Sequence, residues 1–181
     1  GSGKSFVAKQ FGCPVFNADN EVAKLYKKDR KCFLRLNKEF PKKIKSFPVN
    51  KKEIASSILS NPKNLRKIIK IVHPLVRKKM NNFIYKNRNK KMIIFDVPLL
   101  LENNLNKKGY ILIFVQAKKE KVIKKLIKRN NYNSKIIRIL KKSQFSLAYK
   151  KKKSNYIINN NFTNKSIKKS VKLLKNKILK K

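Results

Sequence analysis

Apolar residues along the chain alternate between two patterns. Continuous apolar runs in KMIIFDVPLL (91–100) and YILIFVQ (110–116) are typical of strands buried in a parallel sheet. Shorter runs in PVFNAD (14–19) and SNYIINN (154–160) predict two further strands. Segments with helical spacing lie between these runs. The pattern therefore predicts an α/β fold, with a parallel sheet flanked by helices on both faces.

The helical segments can be followed along the chain by their spacing. A short helix in KSFVAKQFG should end at Gly12, and another should begin in NEVAKLY. Residues 30–90 keep helical spacing with interruptions near Pro41, Pro48 and Pro62, and a break or kink is expected at His73-Pro74. KEKVIKKLIKR, KIIRILKKSQFSLAYKKKK and TNKSIKKSVKLLKNKILKK are predicted helices, with a loop at NNYNS (130–134).

The opening residues Gly1-Ser2-Gly3-Lys4-Ser5 match the end of the phosphate-loop pattern G-x-x-x-x-G-K-[S/T]. In such a loop the backbone N–H groups bind the β-phosphate, the Lys bridges the β- and γ-phosphates and the Ser holds Mg²⁺. The same five letters also suit an engineered linker. However, an apolar helix over 6–11 follows at once, as a phosphate loop requires. We therefore predict ATP and Mg²⁺ as ligands, with Lys4 in a catalytic role.

Two of the eight carboxylates follow predicted strands. Asp96 ends MIIFD, where an Asp of a phosphate-loop enzyme holds Mg²⁺ through water, although it could instead cap the strand–loop junction. Asp19 follows PVFNA, and it could orient or deprotonate an attacking hydroxyl or serve as the N-cap of the next helix. Carboxyl ends of parallel strands face the ligand crevice, so both are candidate site residues. Glu102 is ambiguous.

Four basic side chains are further candidates. His73 and Arg77 would share one helix face if the helix continues past Pro74, and together they could bind a phosphate. The alternative for the lone His73 is a packed or capping role. Arg129 and Arg138 flank the NNYNS loop and suit a lid that closes over ATP, although helix-surface charge is a serious alternative.

The chain of 181 residues carries 50 Lys and Arg against 8 Asp and Glu, a net charge of +42. Nucleic-acid binding is nevertheless not expected, because only 7 of the 50 are Arg and the lysines are spread along the whole chain. No apolar stretch is long enough to span a membrane, and we expect a cytoplasmic protein. Cys13 and Cys32 are expected to be reduced thiols. Nothing in the sequence indicates an oligomeric state.

Taken in order, several segments resemble the dephospho-CoA kinase family. These are GSGKS, VFNADNEVAKLY, IVHPLVR, FDVPLLLENNL, VIKKLIKRN with IIRILKKSQ, and SNYIINNN. The resemblance implies a P-loop kinase fold that transfers the ATP γ-phosphate to the 3′-hydroxyl of dephospho-CoA. It implies a single domain over 1–181, with a helical substrate-binding insertion at about 25–90 and a lid at about 125–150.

The resemblance also assigns roles to individual residues. Asp19 matches the residue that acts as base or hydroxyl orienter, and His73 and Arg77 fall where the insertion faces the acceptor. The expected ATP-binding residues are Gly1, Ser2, Gly3, Lys4, Ser5, Phe6, Arg129, Arg138 and Asn160, with Ser5 and Asp96 as the metal site. Asn160 matches a position near the nucleotide base.

The sequence departs from the family pattern in places. Asn17 replaces the first Asp of a D-A-D turn, and Phe6 stands where Thr is usual. The strand that precedes a phosphate loop is missing from the chain, so we expect a gap in the sheet, a fragment of a slightly longer protein, and weak ATP binding.

Overall fold

A computed structural model describes residues 1–129 and 132–180. Its helices are α1 (Lys4–Gln10), α2 (Ala18–Lys28), α3 (Arg30–Glu39), α4 (Lys51–Ser60), α5 (Asn64–Lys86), α6 (Lys119–Ile127), α7 (Ser134–Lys142), α8 (Leu147–Lys152) and α9 (Asn164–Leu179). Its strands are β1 (Val15–Asn17), β2 (Ile94–Asp96), β3 (Ile113–Gln116) and β4 (Tyr156–Asn159). Asn130 and Asn131 of the predicted NNYNS loop, and Lys181 of the predicted last helix, lie outside the described residues.

All four described strands pair in parallel, as the apolar runs predicted. β1 pairs with β2, which places Asn17 opposite Asp96. β3 pairs with β4 from Ile113 opposite Tyr156 to Gln116 opposite Asn159. These are two separate two-stranded sheets, and in the described ranges no ladder joins β2 to β3. The expected gap in the sheet is therefore present, and it lies between β2 and β3.

Two apolar clusters hold the elements together. The smaller cluster lies under α1 and α9, where Val7, Ile167 and Val171 are almost fully buried. Ile94 of β2 and Ile113 of β3 both pack against it, so α1 and α9 cover one face of both sheets. The larger cluster joins α2, α3 and α5 to the other face of β1 and β2. Packing on both faces explains why the β2 segment reads as a continuous apolar run.

Of the break or kink predicted at His73-Pro74, the break is wrong, because α5 runs from Asn64 to Lys86 with Pro74 inside it. A proline removes one backbone hydrogen bond from a helix. Packing offsets that loss, since residues spaced three or four apart along α5 are buried on one side: Leu65, Ile68, Val72, Val76 and Met80. The interruptions predicted near Pro41, Pro48 and Pro62 are confirmed, because α3, α4 and α5 are separated there.

The single helix predicted over 135–153 is also wrong. The structure has α7 and α8 instead, separated at 143–146. Ser146 caps α8 by accepting a hydrogen bond from the Tyr149 backbone N–H at 3.1 Å. This break turns the chain toward the loop that follows β2. Within the described ranges, no helix has both the length and the apolar character needed to cross a membrane.

Candidate active site

The predicted phosphate loop leads directly into α1. Gly3 precedes the helix with φ of 84°, and the Val7 N–H donates to the Gly3 carbonyl at 3.0 Å. The loop is held from the far end of the chain, because Asn160 donates its side-chain Nδ2 to the Ser2 carbonyl at 2.8 Å. Asn160 is 3% exposed, and its own N–H donates to the Gln116 carbonyl at 2.7 Å. The end of β4 therefore supports the loop.

Gly3 is required at its position for two reasons. Its φ is positive, and a Cβ built there would lie 2.2 Å from Asn160 Nδ2. Asn160 cannot turn aside without loss, because its Oδ1 also accepts a hydrogen bond from the Phe162 N–H at 2.8 Å. A Cβ would therefore push the amide off the Ser2 carbonyl and release the loop.

Gly3→Ala is expected to raise KM for ATP by about tenfold or more, since a buried hydrogen bond to the loop is lost. Gly12→Ala is the matched control, because Gly12 has φ of 62° with nothing within 4 Å of a Cβ. Both variants incur the left-handed backbone cost of about 1–2 kcal/mol. That cost lowers Tm by about 2–4 °C per kcal/mol. Equal KM values for the two variants would contradict this requirement.

The ends of β1 and β2 bring polar side chains to the same edge. Asn17 Nδ2 donates to Asp96 Oδ2 at 2.6 Å, and Asp96 is 6% exposed. Asn17 also caps α2, since its Oδ1 accepts the Asn20 N–H at 2.8 Å. Asp19 is therefore not the helix cap, and that alternative is wrong; Asp19 lies in the first turn of α2 as an exposed residue whose carboxylate is partly desolvated by the neighbouring protein. The capping leaves Asp19 free to serve in the site.

The charges of the site influence one another. Desolvation raises the pKa of Asp19, and repulsion from the nearby Asp96 raises it further. The positive charges of Lys4 and Arg129 lower this pKa. Lys4 remains solvent-accessible, but partial desolvation by the surrounding protein lowers its pKa. The negative charge of Asp96 acts in the opposite direction and raises the pKa of Lys4. The charges of Lys150 and Arg129 also lower the pKa of Lys4. Lys4, Asp19, Asp96 and Arg129 thus form one electrostatic cluster.

Other predicted site residues lie elsewhere. Phe6 packs against the cluster under α1 and α9, and its predicted contact with ATP stays a prediction. Arg138 lies exposed on α7, where it lines a separate surface groove with Tyr132 and Lys142. Its predicted place in a lid over ATP stays a prediction, as does the position of Asn160 near the base.

His73 and Arg77 lie together, as a continuous helix requires. They line one groove along α5 of about 530 Å³, together with Ile69, Lys70, Pro74, Lys78, Asn81 and Asn82. Burial lowers the pKa of His73, and so does the neighbouring Arg77. The imidazole together with the lysine, arginine and asparagine side chains makes this groove a candidate anion site. Lys4, Asp19 and Asp96 are not among its lining residues.

Two residues of the site, Asn17 and Lys150, are not among the site residues predicted from the sequence. Asn17 departs from the family pattern, and its side chain fixes the Asp96 carboxylate. Its position at a strand end, like that of Asp96, was the available signal. Lys150 was not singled out in a chain so rich in lysine, and its charge reaches Lys4.

The donors at this edge suit a hard divalent cation. In the described ranges no three His, Cys, Asp or Glu side chains are grouped as a metal cluster. Mg²⁺ bound with nucleotide phosphates needs only one or two carboxylates, since phosphate and water oxygens complete its shell. The Ser5 hydroxyl and the Asp96 carboxylate are oxygen donors of this type. A cation would also reduce the repulsion between Asp96 and Asp19.

Known proteins match this chain along most of its length. The family model described as CoaE, dephospho-CoA kinase, matches residues 1–166. A dephospho-CoA kinase of Wolbachia pipientis wMel is 31% identical over 163 residues, which cover 87% of this chain and 83% of that protein. A dephospho-CoA kinase of Leptospira interrogans is 27% identical over 184 residues, covering 99% and 89%.

Two solved structures share the fold. TT1252 from Thermus thermophilus superposes with a TM-score of 0.75 at 20% identity, covering 98% of this chain and 92% of that one. Dephospho-CoA kinase from Campylobacter jejuni superposes with a TM-score of 0.58 at 21% identity, covering 97% and 89%. The predicted α/β fold of the P-loop kinase type is confirmed.

Proposed function

Because the family match spans residues 1–166, the chain belongs to the dephospho-CoA kinase family, and we propose that it phosphorylates the 3′-hydroxyl of dephospho-CoA with ATP to give coenzyme A and ADP. The observation that carries the proposal is the cluster of Lys4, Asp19 and Asp96. The phosphate-loop lysine and two strand-end carboxylates influence one another electrostatically at one edge of the fold. A kinase needs these groups together, since phosphoryl transfer depends on positioning and charge neutralisation.

Each residue of the cluster has a role in this reaction. Asp19 orients the ribose 3′-hydroxyl and takes its proton as the oxygen attacks the γ-phosphorus and the bond to the β-phosphate oxygen breaks. Its raised pKa makes it a better base than an ordinary carboxylate. Lys4 neutralises the β- and γ-phosphates. Mg²⁺ at Ser5, and through water at Asp96, supplies further charge neutralisation when bound.

The basic residues beyond the cluster complete the substrate sites. Arg129 is a lid cation whose charge acts on Lys4, and Arg138 joins it when the lid of about 125–150 closes. The α5 groove receives the acceptor, whose phosphates meet His73 and Arg77. Because α5 belongs to the insertion of about 25–90, the acceptor and ATP bind to different parts of the domain.

Arg77→Gln is expected to raise KM for dephospho-CoA by about tenfold with KM for ATP unchanged, since an arginine–phosphate contact contributes about 1.5–3 kcal/mol. Steady-state kinetics with each substrate varied in turn measure the two constants. Arg66→Gln is the control, because Arg66 lies exposed on the same helix outside the groove. A similar rise in both variants would assign the effect to general surface charge.

The proposed function is tested by offering the protein ATP and Mg²⁺ with dephospho-CoA, nucleosides or nucleoside monophosphates, and measuring ADP formation. Among these acceptors, we expect turnover only with dephospho-CoA. Preference for a nucleoside or a nucleotide would assign the chain to another kinase activity on the same fold.

The net charge of +42 favours one further candidate, which is a nucleic-acid-binding protein without catalysis. Titration with DNA and RNA at rising salt tests it. Strongly salt-dependent affinity without ATP turnover would favour that candidate over the kinase.

A further inference from the structure

Glu102 lies in the turn region after β2 and has a buried carboxylate that the roles above do not use. Its side chain is 8% exposed. Its Oε1 accepts the Phe145 backbone N–H at 3.0 Å and the Lys150 ammonium at 2.6 Å. Its Oε2 is buried and accepts no hydrogen bond from the residues that the structure describes. One carboxylate oxygen thus binds both the segment that joins α7 to α8, at Phe145, and α8 itself, at Lys150.

Lys150 is held in an unusual setting for this chain. Its side chain is 15% exposed, whereas the lysines of the ion pairs with Glu21 and Glu39 are 67% and 58% exposed. The Gln144 Oε1 also lies 3.4 Å from its Nζ. Exposed ion pairs contribute little to stability. Removal of one partner from a buried ion pair is strongly destabilising, because it leaves the other charge buried without a partner. The Glu102–Lys150 pair therefore restricts the segment 144–150 in a way that the exposed pairs cannot.

The position of Lys150 connects this pair to the phosphate loop. Its partner Glu102 lies in the turn region that leaves the carboxyl end of β2, the end that carries Asp96. The pair therefore holds the ammonium at the edge of the sheet where the candidate site lies, and the charge of Lys150 acts on Lys4. A second cation near Lys4 repels it in the absence of anions, and both attract a polyphosphate. Because Lys150 belongs to α8, its distance from the loop depends on where the segment 144–150 is anchored.

We propose that Glu102 is a positioning residue that fixes the 144–150 segment to the loop after β2, and so holds the Lys150 ammonium beside the phosphate loop for ATP binding. This inference rests on the proposed kinase function. Glu102 itself does not touch ATP in this arrangement; it acts through Lys150 and the Phe145 backbone. The nucleotide-binding cations are then Lys4, Arg129 and Lys150.

Glu102→Gln tests the proposal, because glutamine keeps the shape and can still accept the Phe145 N–H but loses the charge that holds Lys150. We expect Kd for ATP to rise about tenfold, as for loss of one charge-assisted contact. Amide hydrogen exchange should accelerate at residues 145–150, while KM for dephospho-CoA stays unchanged. Glu39→Gln is the matched control, since the Glu39–Lys67 pair has the same 2.6 Å distance but is exposed.

Lys150→Met is the second variant, and the substitutions Glu102→Gln and Lys150→Met are combined in a double variant. If Glu102 acts through Lys150, the double variant binds ATP no more weakly than Lys150→Met alone. Additive losses would overturn the proposal. So would a Glu102→Gln protein with wild-type ATP affinity, or one whose Tm falls without a change in that affinity, which is the result of a merely structural role.

These readouts are separable from the proposed function. Calorimetric ATP affinity and hydrogen exchange need no acceptor, so they report on Glu102 even if the wild-type protein fails to phosphorylate dephospho-CoA. Conversely, full kinase activity in wild-type protein together with an unchanged KM for ATP in Glu102→Gln would uphold the function and overturn the role of Glu102.

Discussion

Asp19→Ala is expected to lower kcat for dephospho-CoA phosphorylation by about 10²-fold or more, the loss that follows removal of a general base. The physical reason is the position of Asp19 in the first turn of α2, within the field of Lys4 and Asp96. Burial and Asp96 raise the pKa of Asp19, which strengthens it as a proton acceptor. KM for ATP should change little, since in the proposed mechanism Asp19 contacts the acceptor hydroxyl and not the phosphates of ATP.

Glu21→Gln is the matched control for Asp19, because Glu21 lies in the same helical turn and, among the residues that the structure describes, forms an ion pair only with Lys24 at 2.6 Å. Its removal should leave kcat near the wild-type value. Single-turnover measurements with saturating ATP separate the chemical step from product release. An Asp19→Ala protein with wild-type turnover would remove Asp19 from the mechanism and leave Lys4 and the cations to account for the rate.

Lys4→Met is expected to lower kcat/KM for ATP by roughly 10²–10³-fold, the range found when one preorganised donor to a developing charge is removed. Lys4 is the first residue of α1, directly after the left-handed Gly3, so its place relative to the loop is set by the backbone. Lys4→Arg should rescue poorly, because a planar guanidinium does not occupy the position of a compact ammonium.

Lys9→Met serves as the control for Lys4, since Lys9 is an exposed lysine on the same short helix. It tests whether the effect belongs to one position or to the total charge of this very basic chain. Nearly equal losses in the two variants would point to general charge. A kcat/KM close to wild type for Lys4→Met would refute the assignment of the phosphate loop.

The order of strands and helices could be predicted because periodicity is a local property of the sequence. β1, β2, β3 and β4 all fall within the predicted apolar runs. The predictions of helix boundaries were wrong where a local sequence signal competes with tertiary packing or is obscured by the surrounding composition. Pro74 suggests a break, but the buried face of α5 continues through it. In the predicted helix over 135–153, Ser146 is a capping residue whose signal was hidden among the lysines.

The candidate residues could be chosen one by one, but not their partners. Asp96 and Asp19 were predictable because each follows a strand, and strand ends collect at one edge of a parallel sheet. The contact between Asn17 and Asp96 spans 79 positions along the chain and depends on the register of β1 with β2. Glu102 stayed ambiguous because its partners, Phe145 and Lys150, lie more than forty positions away.

The sequence by itself determined the α/β class and the family, and it supplied the candidates for the phosphate loop and the strand-end carboxylates, because each is carried by neighbouring residues. Tertiary structure alone decided that Asn160 supports the loop, that Asn17 fixes Asp96, and that Glu102 binds Lys150. It also decided which of many lysines acts on Lys4. The physical reason is that hydrogen bonds and charges act over a few ångströms in space, and sequence patterns do not record those distances.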